Sequence, residues 1–118
     1  MDYNLQNNSS LILSTDRLIF QIYINNITFI ECDSYVTMIH FMDSKEVLST
    51  SILLKELELF LGQYYFFRIN KQVLLNLRYL NNIDINKRRL TLYNGLEFTI
   101  SYRKLKLFRG FITKIRKR

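Results

Sequence analysis

The sequence predicts a mostly β domain with small antiparallel sheets, one short central helix and a C-terminal helical segment. Three observations predict this class: short apolar–polar alternations recur along the chain, turn residues separate them, and residues 52–61 change to helical spacing. A length of 118 residues fits one domain, and a hydrophobic content of 48% is enough for its core.

Four strands are predicted in the first half, each from an alternation that ends at polar turn residues. They span 17–24, 27–31, 35–42 and 46–50. Residues 1–14 are polar and rich in Asn and Ser, so we expect a flexible leader or the end of a linker there.

Residues 52–61 form the predicted central helix, with leucines on one side and charged residues on the other. Ser51 is predicted to cap its first turn, because a serine hydroxyl accepts a hydrogen bond from an unpaired amide there. Gly62 is predicted to end the helix in the left-handed conformation that glycine tolerates.

Five further strands and a terminal helix are predicted after the central helix. The strands span 64–69, 73–77, 78–85, 90–93 and 96–100. Asn94 and Gly95 predict a type I′ hairpin turn, because both central residues of that turn need a positive φ. Ser101 is predicted to cap the terminal helix, which has an apolar side that contains Leu105 and Phe108.

Charge is divided unevenly between the two halves of the chain. The formal net charge is +7, but residues 1–60 carry three basic and eight acidic side chains, whereas residues 61–118 carry fourteen basic and two acidic ones. A fold that gathers the second half on one side presents a positive face, which attracts nucleic acid or an anionic membrane surface.

Side chains that enzymes use are scarce, so we predict no catalytic activity, no cofactor and no metal site. His40, the only histidine, lies in a predicted strand with no nucleophile pattern nearby, which favours a structural role. Cys32, the only cysteine, excludes a disulfide framework and is flanked by two acidic residues, so we expect an unreactive thiol. Without a signal peptide or a bilayer-length apolar run, the predicted location is cytoplasmic.

Two features leave other binding functions open. The aromatic run 64–67 has the composition of a stacking platform for RNA bases, although its periodicity favours a buried strand. The basic, amphipathic segment 103–118 also fits a peripheral membrane or protein-interaction module.

Four strings of residues resemble the LytTR-type DNA-binding domain of bacterial response regulators. They are NNITFIECDSYVTMIHF, LSTSILLKELELFL, YYFFRINKQVLLNLRYLNNID and LTLYNGLEFTISYRKLK, in the order of that family and close to its spacing. The most specific part, FFRINKQVLLNL, resembles the family pattern F-F/V-R-I/V-H-R-S-Y/F-I/L-V/I-N-L. We expect this domain to span residues 15–110, with residues 111–118 as a basic tail.

The resemblance implies an elongated β fold that inserts loops, rather than a recognition helix, into successive major grooves of double-stranded DNA. The family's contact regions fall on the corner before the third strand, on the middle string and on the last string, namely on Ser34, Tyr35 and Thr37, on Asn70, Lys71 and Gln72, and on Arg103. Lys104, beside Arg103, is a candidate DNA contact because its charge can meet a phosphate. Asn70 and Lys71 replace the family's histidine and arginine, which removes the bidentate contact that arginine makes with guanine.

These features together predict a sequence-specific transcriptional regulator that binds double-stranded DNA. The resemblance implies direct-repeat sites, a second copy on the DNA, and a receiver domain or sensor partner in a longer system. The charge pattern supports DNA independently, because a pair of cations at the start of a helix is unfavourable unless an anion lies nearby.

Overall fold

The computed structural model describes residues 9–14 and 17–116, which form ten strands and two α-helices. In chain order the elements are β1 (Ser10–Ser14), β2 (Ile19–Tyr23), β3 (Ile27–Asp33), β4 (Val36–Phe41), β5 (Val47–Thr50), α1 (Leu54–Leu61), β6 (Phe66–Arg68), β7 (Val73–Asn76), β8 (Leu80–Asp84), β9 (Arg89–Leu92), β10 (Glu97–Thr99) and α2 (Tyr102–Arg116). The predicted class, mostly β with a central and a C-terminal helix, is confirmed.

Three antiparallel sheets make up the β structure of the described residues. One contains β1 and β2, the second has five strands in the order β5-β4-β3-β7-β6, and the third has the order β10-β9-β8. Every strand pairs with its neighbours in the antiparallel sense, as the short predicted hairpins imply.

The five-stranded sheet is covered on both faces, because its neighbouring inner strands β3 and β7 have apolar side chains on both sides. In β3, Ile30 faces a first core that contains the buried leucines of α1 and the inner residues of β1 and β2. The preceding residue, Phe29, faces a second core, formed with the three-stranded sheet and α2. Leu74 and Leu75 of β7 divide between the two cores in the same way.

Helix α1 lies where the sequence predicts it but has a different N-cap. The cap is Leu53, whose backbone N–H donates to the Glu56 carboxylate at 3.2 Å, so the predicted Ser51 cap is wrong. The reason is that Ile52 is held outside the helix. Its N–H donates to the Thr50 hydroxyl at 3.2 Å, and its carbonyl accepts from the Thr37 hydroxyl at 2.7 Å.

The predicted left-handed ending at Gly62 is also wrong. Gly62 has a φ of −57°, and the chain continues through a 3-10 turn, Gly62–Tyr64, before Tyr65 adopts a left-handed φ of 75°. The left-handed conformation of Tyr65 is stabilised by two contacts. The Tyr65 carbonyl accepts from the Leu77 N–H at 3.0 Å, and the Tyr65 ring lies 5.9 Å from the ring of Phe111.

The hairpin at Asn94-Gly95 forms, but not with the predicted type I′ turn. Among the described residues with positive φ, Gly95 appears at 92° and Asn94 does not. The Gly95 N–H donates to the Leu92 carbonyl, and the Leu92 N–H donates to the Leu96 carbonyl, so three residues rather than two connect the strands. A three-residue loop needs a positive φ only at its last position, which the glycine fills.

Both predicted termini differ from the structure. Residues 10–14 were expected in a flexible leader, but they form β1, because Leu11 and Leu13 pack against the first core; residues 1–8 lie outside the described residues. At the other end, the Ser101 hydroxyl accepts from the Lys104 N–H at 3.2 Å, which confirms the predicted cap. The helix then runs through the first six residues of the predicted tail 111–118, and residues 117–118 are outside the description.

Two partly or fully buried polar side chains form hydrogen bonds between segments that are distant in sequence. Asn76 is fully buried; its amide donates to the Ile27 carbonyl at 2.9 Å, and its oxygen accepts from the Arg78 N–H at 3.0 Å. This bond begins the 3-10 turn Leu77–Tyr79, where a strand was predicted. The Tyr79 hydroxyl donates to the Asn25 carbonyl. Burial raises the pKa of Tyr79 above its ordinary value, so this hydroxyl remains a donor to a higher pH than an exposed tyrosine does.

We predict that Asn76→Ala lowers the free energy of unfolding by about 1–3 kcal/mol, because it leaves a buried carbonyl and an amide without their partner. Urea denaturation measures the change. Asn82→Ala is the matched control, since Asn82 lies exposed on β8, and its cost should stay within about 0.5 kcal/mol. Equal effects of the two substitutions would contradict the role given to Asn76.

Candidate nucleic-acid interface

Most predicted contact residues lie at one end of the five-stranded sheet. Because β3 is antiparallel to both β4 and β7, the end of β3 adjoins the turn at residues 34–35 and the loop 69–72 that precedes β7. The Cys32 N–H donates to the Gln72 carbonyl at 2.9 Å, which fixes the loop beside the turn. Two of the three predicted regions are therefore neighbours.

Arg68, at the end of β6, holds the loop 69–72 in place. Its guanidinium donates to the Asn70 carbonyl at 3.0 Å, to the Lys71 carbonyl, and to the Glu58 carboxylate of α1 at 2.8 Å. The guanidinium contacts backbone atoms of the loop and not its side chains. Lys71 and Gln72 are consequently exposed on a restrained backbone.

The side chain of Asn70 forms hydrogen bonds within the protein. Its amide nitrogen donates to the Thr99 carbonyl at 2.8 Å, and its oxygen accepts from the Gln72 N–H at 2.8 Å. These bonds connect the loop to the end of β10, so Asn70 positions its neighbours in addition to being partly exposed itself.

The start of α2 lies against the same loop, which brings the third predicted region to this end. The Ser101 N–H donates to the Ile69 carbonyl at 2.9 Å. Loop and helix enclose a depression of about 500 Å³, lined by Arg68, Asn70, Lys71, Ser101, Arg103 and Lys104.

The electrostatics of this depression favour an anion. Arg68 is neutralised by Glu58, but Lys71, Arg103 and Lys104 form no ion pair among the described residues. Arg103 and Lys104 also occupy the first turn of α2, where the unpaired backbone N–H groups already carry partial positive charge. A phosphate or an electronegative base edge relieves this repulsion.

The corner before β4 contributes two of its three predicted residues. Ser34 has a left-handed φ of 58°, and this turn leaves Tyr35 91% exposed. Thr37 is 3% exposed, and its hydroxyl donates to the Ile52 carbonyl at 2.7 Å. Because it is buried and already bonded, Thr37 is corrected from a predicted contact residue to a structural one.

The structure adds a basic turn, residues 87–89, in a part of the sequence that was predicted only to connect two strands. Lys87 and Arg88 lie between β8 and β9, and Arg89 is the first residue of β9. The Arg88 carbonyl accepts from the Ile100 N–H at 2.9 Å, and its guanidinium donates to the Ile100 carbonyl at 3.1 Å. The turn therefore lies next to Ser101 and the depression. Three consecutive basic residues were the signal that could have identified it.

The histidine, the cysteine and the aromatic run that were considered for other functions all make contacts within the fold. The His40 ring stacks on Phe29 at 4.1 Å, and its Nε2 lies 2.7 Å from the Glu31 carboxylate. Cys32 is half-buried against the first core. Phe66 is 6% exposed, and the Phe67 ring packs edge-on against Phe108 at 5.2 Å, as expected for a buried strand.

The described residues contain no cluster suited to a metal ion and no helix long and apolar enough to span a bilayer.

Comparisons with known proteins place the chain in a family. The LytTr DNA-binding domain matches residues 17–113. Among solved structures, the LytTr DNA-binding domain of a methyl-accepting/DNA response regulator from Bacillus cereus has the same fold, with a TM-score of 0.74 at 18% identity over 88% of this chain and 96% of that one. No curated protein sequence matches. Because the family match covers most of the sequence and the fold agrees with it, the chain belongs to the LytTr DNA-binding domain family.

Proposed function

We propose that the domain regulates transcription by binding double-stranded DNA sequence-specifically, with loops inserted into successive major grooves. One observation carries the proposal: the loop 69–72, the turn at Ser34 and Tyr35, and the start of α2 lie at one end of the molecule, connected by backbone hydrogen bonds. Protruding loops on a rigid sheet reach base edges as a recognition helix does elsewhere.

The exposed residues divide into two proposed roles. Lys71, Gln72 and Arg103 read base edges, because they project from restrained backbone and can donate to purine acceptors in the major groove. Lys104 and the turn 87–89 contact phosphates on either side, which sets the register on the duplex. Lysine at position 71 makes a single-point contact, where a guanidinium would bind guanine through two bonds.

The assembly proposed on DNA follows from the family. Direct-repeat sites would place two copies on one face of the duplex, and a receiver domain or a sensor partner would supply the signal. Selection of bound sequences from a random duplex pool tests this, since recovery of a repeated motif supports both specificity and two-copy binding. Recovery of no motif would contradict sequence-specific recognition.

The membrane alternative is disfavoured by the packing of α2. Leu105 and Phe108, on the apolar side of that helix, are buried in the second core, so this part of the side is not available to a lipid surface. RNA binding is disfavoured because the aromatic side chains at 66 and 67 are packed internally. Competition between duplex DNA and structured RNA distinguishes the two nucleic acids.

We predict that Lys71→Ala and Arg103→Ala each weaken binding to the selected site by about 1–3 kcal/mol, and binding to random duplex by less, because each removes a base contact. Fluorescence anisotropy measures both affinities, and circular dichroism checks the fold. Lys45→Ala is the matched control: this exposed lysine lies between β4 and β5, at the opposite end of the sheet. A control that costs as much as the two site variants would place the interface elsewhere.

We also predict a steep dependence of affinity on salt. If the basic residues of the second half of the chain, 61–118, neutralise about six phosphates, log K against log[salt] falls with a slope near −5, at about −0.9 per contact. Titrations at four or more salt concentrations measure the slope. A slope shallower than about −2 would contradict binding dominated by phosphates.

A further inference from the structure

A second surface, distinct from the proposed DNA interface, lies between the two helices. It is a groove of about 520 Å³ with α1 on one side and α2 on the other, and its floor contains Phe66, Phe67 and Arg68 of β6. Strand β6 ends the five-stranded sheet, so within the described chain no further strand closes the groove.

Each helix presents the same pair of side chains to this groove. On α1, Lys55 is followed one turn later by Leu59; on α2, Lys104 is followed one turn later by Leu107. Leu59 is 78% exposed and Leu107 is 59% exposed, although both helices have other leucines that are buried. Two solvent-exposed leucines therefore flank one groove, and their burial against apolar side chains of a partner would be favourable.

The charge of the groove indicates which kind of partner fits it. Its one carboxylate, on Glu58, is paired with Arg68 at 2.8 Å, so these two charges cancel. Lys55 and Lys104 remain, and neither forms an ion pair among the residues that the structure describes. A complementary partner therefore carries both carboxylates and large apolar side chains.

We propose that the groove between α1 and α2 binds a short acidic segment of a partner protein, with leucine or phenylalanine side chains seated between Leu59 and Leu107 and carboxylates at Lys55 and Lys104. This is recognition of an amphipathic segment in a groove, in which apolar anchors spaced by one turn supply affinity and charge supplies selectivity. Nucleic acid alone does not account for the surface, because a phosphate backbone gains nothing from two exposed leucines.

The groove also adjoins the proposed DNA interface, because Lys104 lines both. A protein segment bound there competes with the duplex for Lys104. For this reason Lys55, which lines the groove but not the DNA-facing depression, is the lysine suited to a test.

The test is selection from a phage-displayed library of random twelve-residue peptides on the full chain, followed by fluorescence polarisation with labelled copies of the recovered peptides. We expect peptides enriched in Asp or Glu together with Leu or Phe. The double variant Leu59→Ser, Leu107→Ser should weaken their binding at least tenfold, and Lys55→Glu should do the same. Matched controls are Leu53→Ser and Lys45→Glu, exposed residues outside the groove, which should change binding less than twofold.

Other outcomes would overturn the proposal. They are a library that yields no acidic-apolar family, and peptides that bind the double leucine variant as well as the original chain. Loss of duplex affinity in Lys55→Glu without peptide recovery would assign the groove cations to phosphates instead. Circular dichroism confirms that each variant is folded. Because peptide binding is measured without DNA, its failure leaves the proposed DNA interface unaffected.

Discussion

The two-sided burial of β3 and β7 is the constraint on which the rest of the structure depends. Ile30 and Leu74 face one core, whereas Phe29 and Leu75 face the other, so a shift of register by one residue would exchange every contact in both cores. The strands are therefore held in a single alignment. Because the strands are aligned, the loops at their ends have fixed positions, and the turn at Ser34 lies beside the loop 69–72.

Main-chain hydrogen bonds between the aligned elements bring their basic residues together at one site. The bond between Cys32 and Gln72 joins β3 to the loop 69–72, and the bond between Ile69 and Ser101 joins that loop to the start of α2. The bond between Arg88 and Ile100 then fixes the basic turn beside Ser101. These bonds bring together basic residues that are far apart in the sequence, against their mutual repulsion. The burial of apolar side chains in both cores offsets that repulsion, and the positive surface is maintained before any polyanion arrives.

Sequence patterns predicted the parts of the structure that depend on local periodicity and missed those that depend on tertiary contacts. Alternation identified most strands, and Ser101 was a reliable cap because its hydroxyl accepts from the Lys104 N–H three residues later, a contact that is local in sequence. Ser51 failed as a cap because Thr37, distant in sequence, holds Ile52 in a non-helical position. The predicted leader 1–14 failed for residues 10–14, since the pairing of Leu11 with Ile22 cannot be read from polar composition. The family pattern identified positions near the proposed site, but it could not reveal that Thr37 is buried.

The hydrogen bonds from Arg68 to the loop 69–72 have a consequence for substitutions in that loop. Its guanidinium holds the carbonyl oxygens of Asn70 and Lys71, which every amino acid possesses. The shape of the loop is thus independent of the side chains at positions 71 and 72, whereas Asn70 remains committed to Thr99. Exchange of the two outward residues would therefore change the side chains that this end of the molecule presents to solvent, while the backbone that carries them keeps its hydrogen bonds.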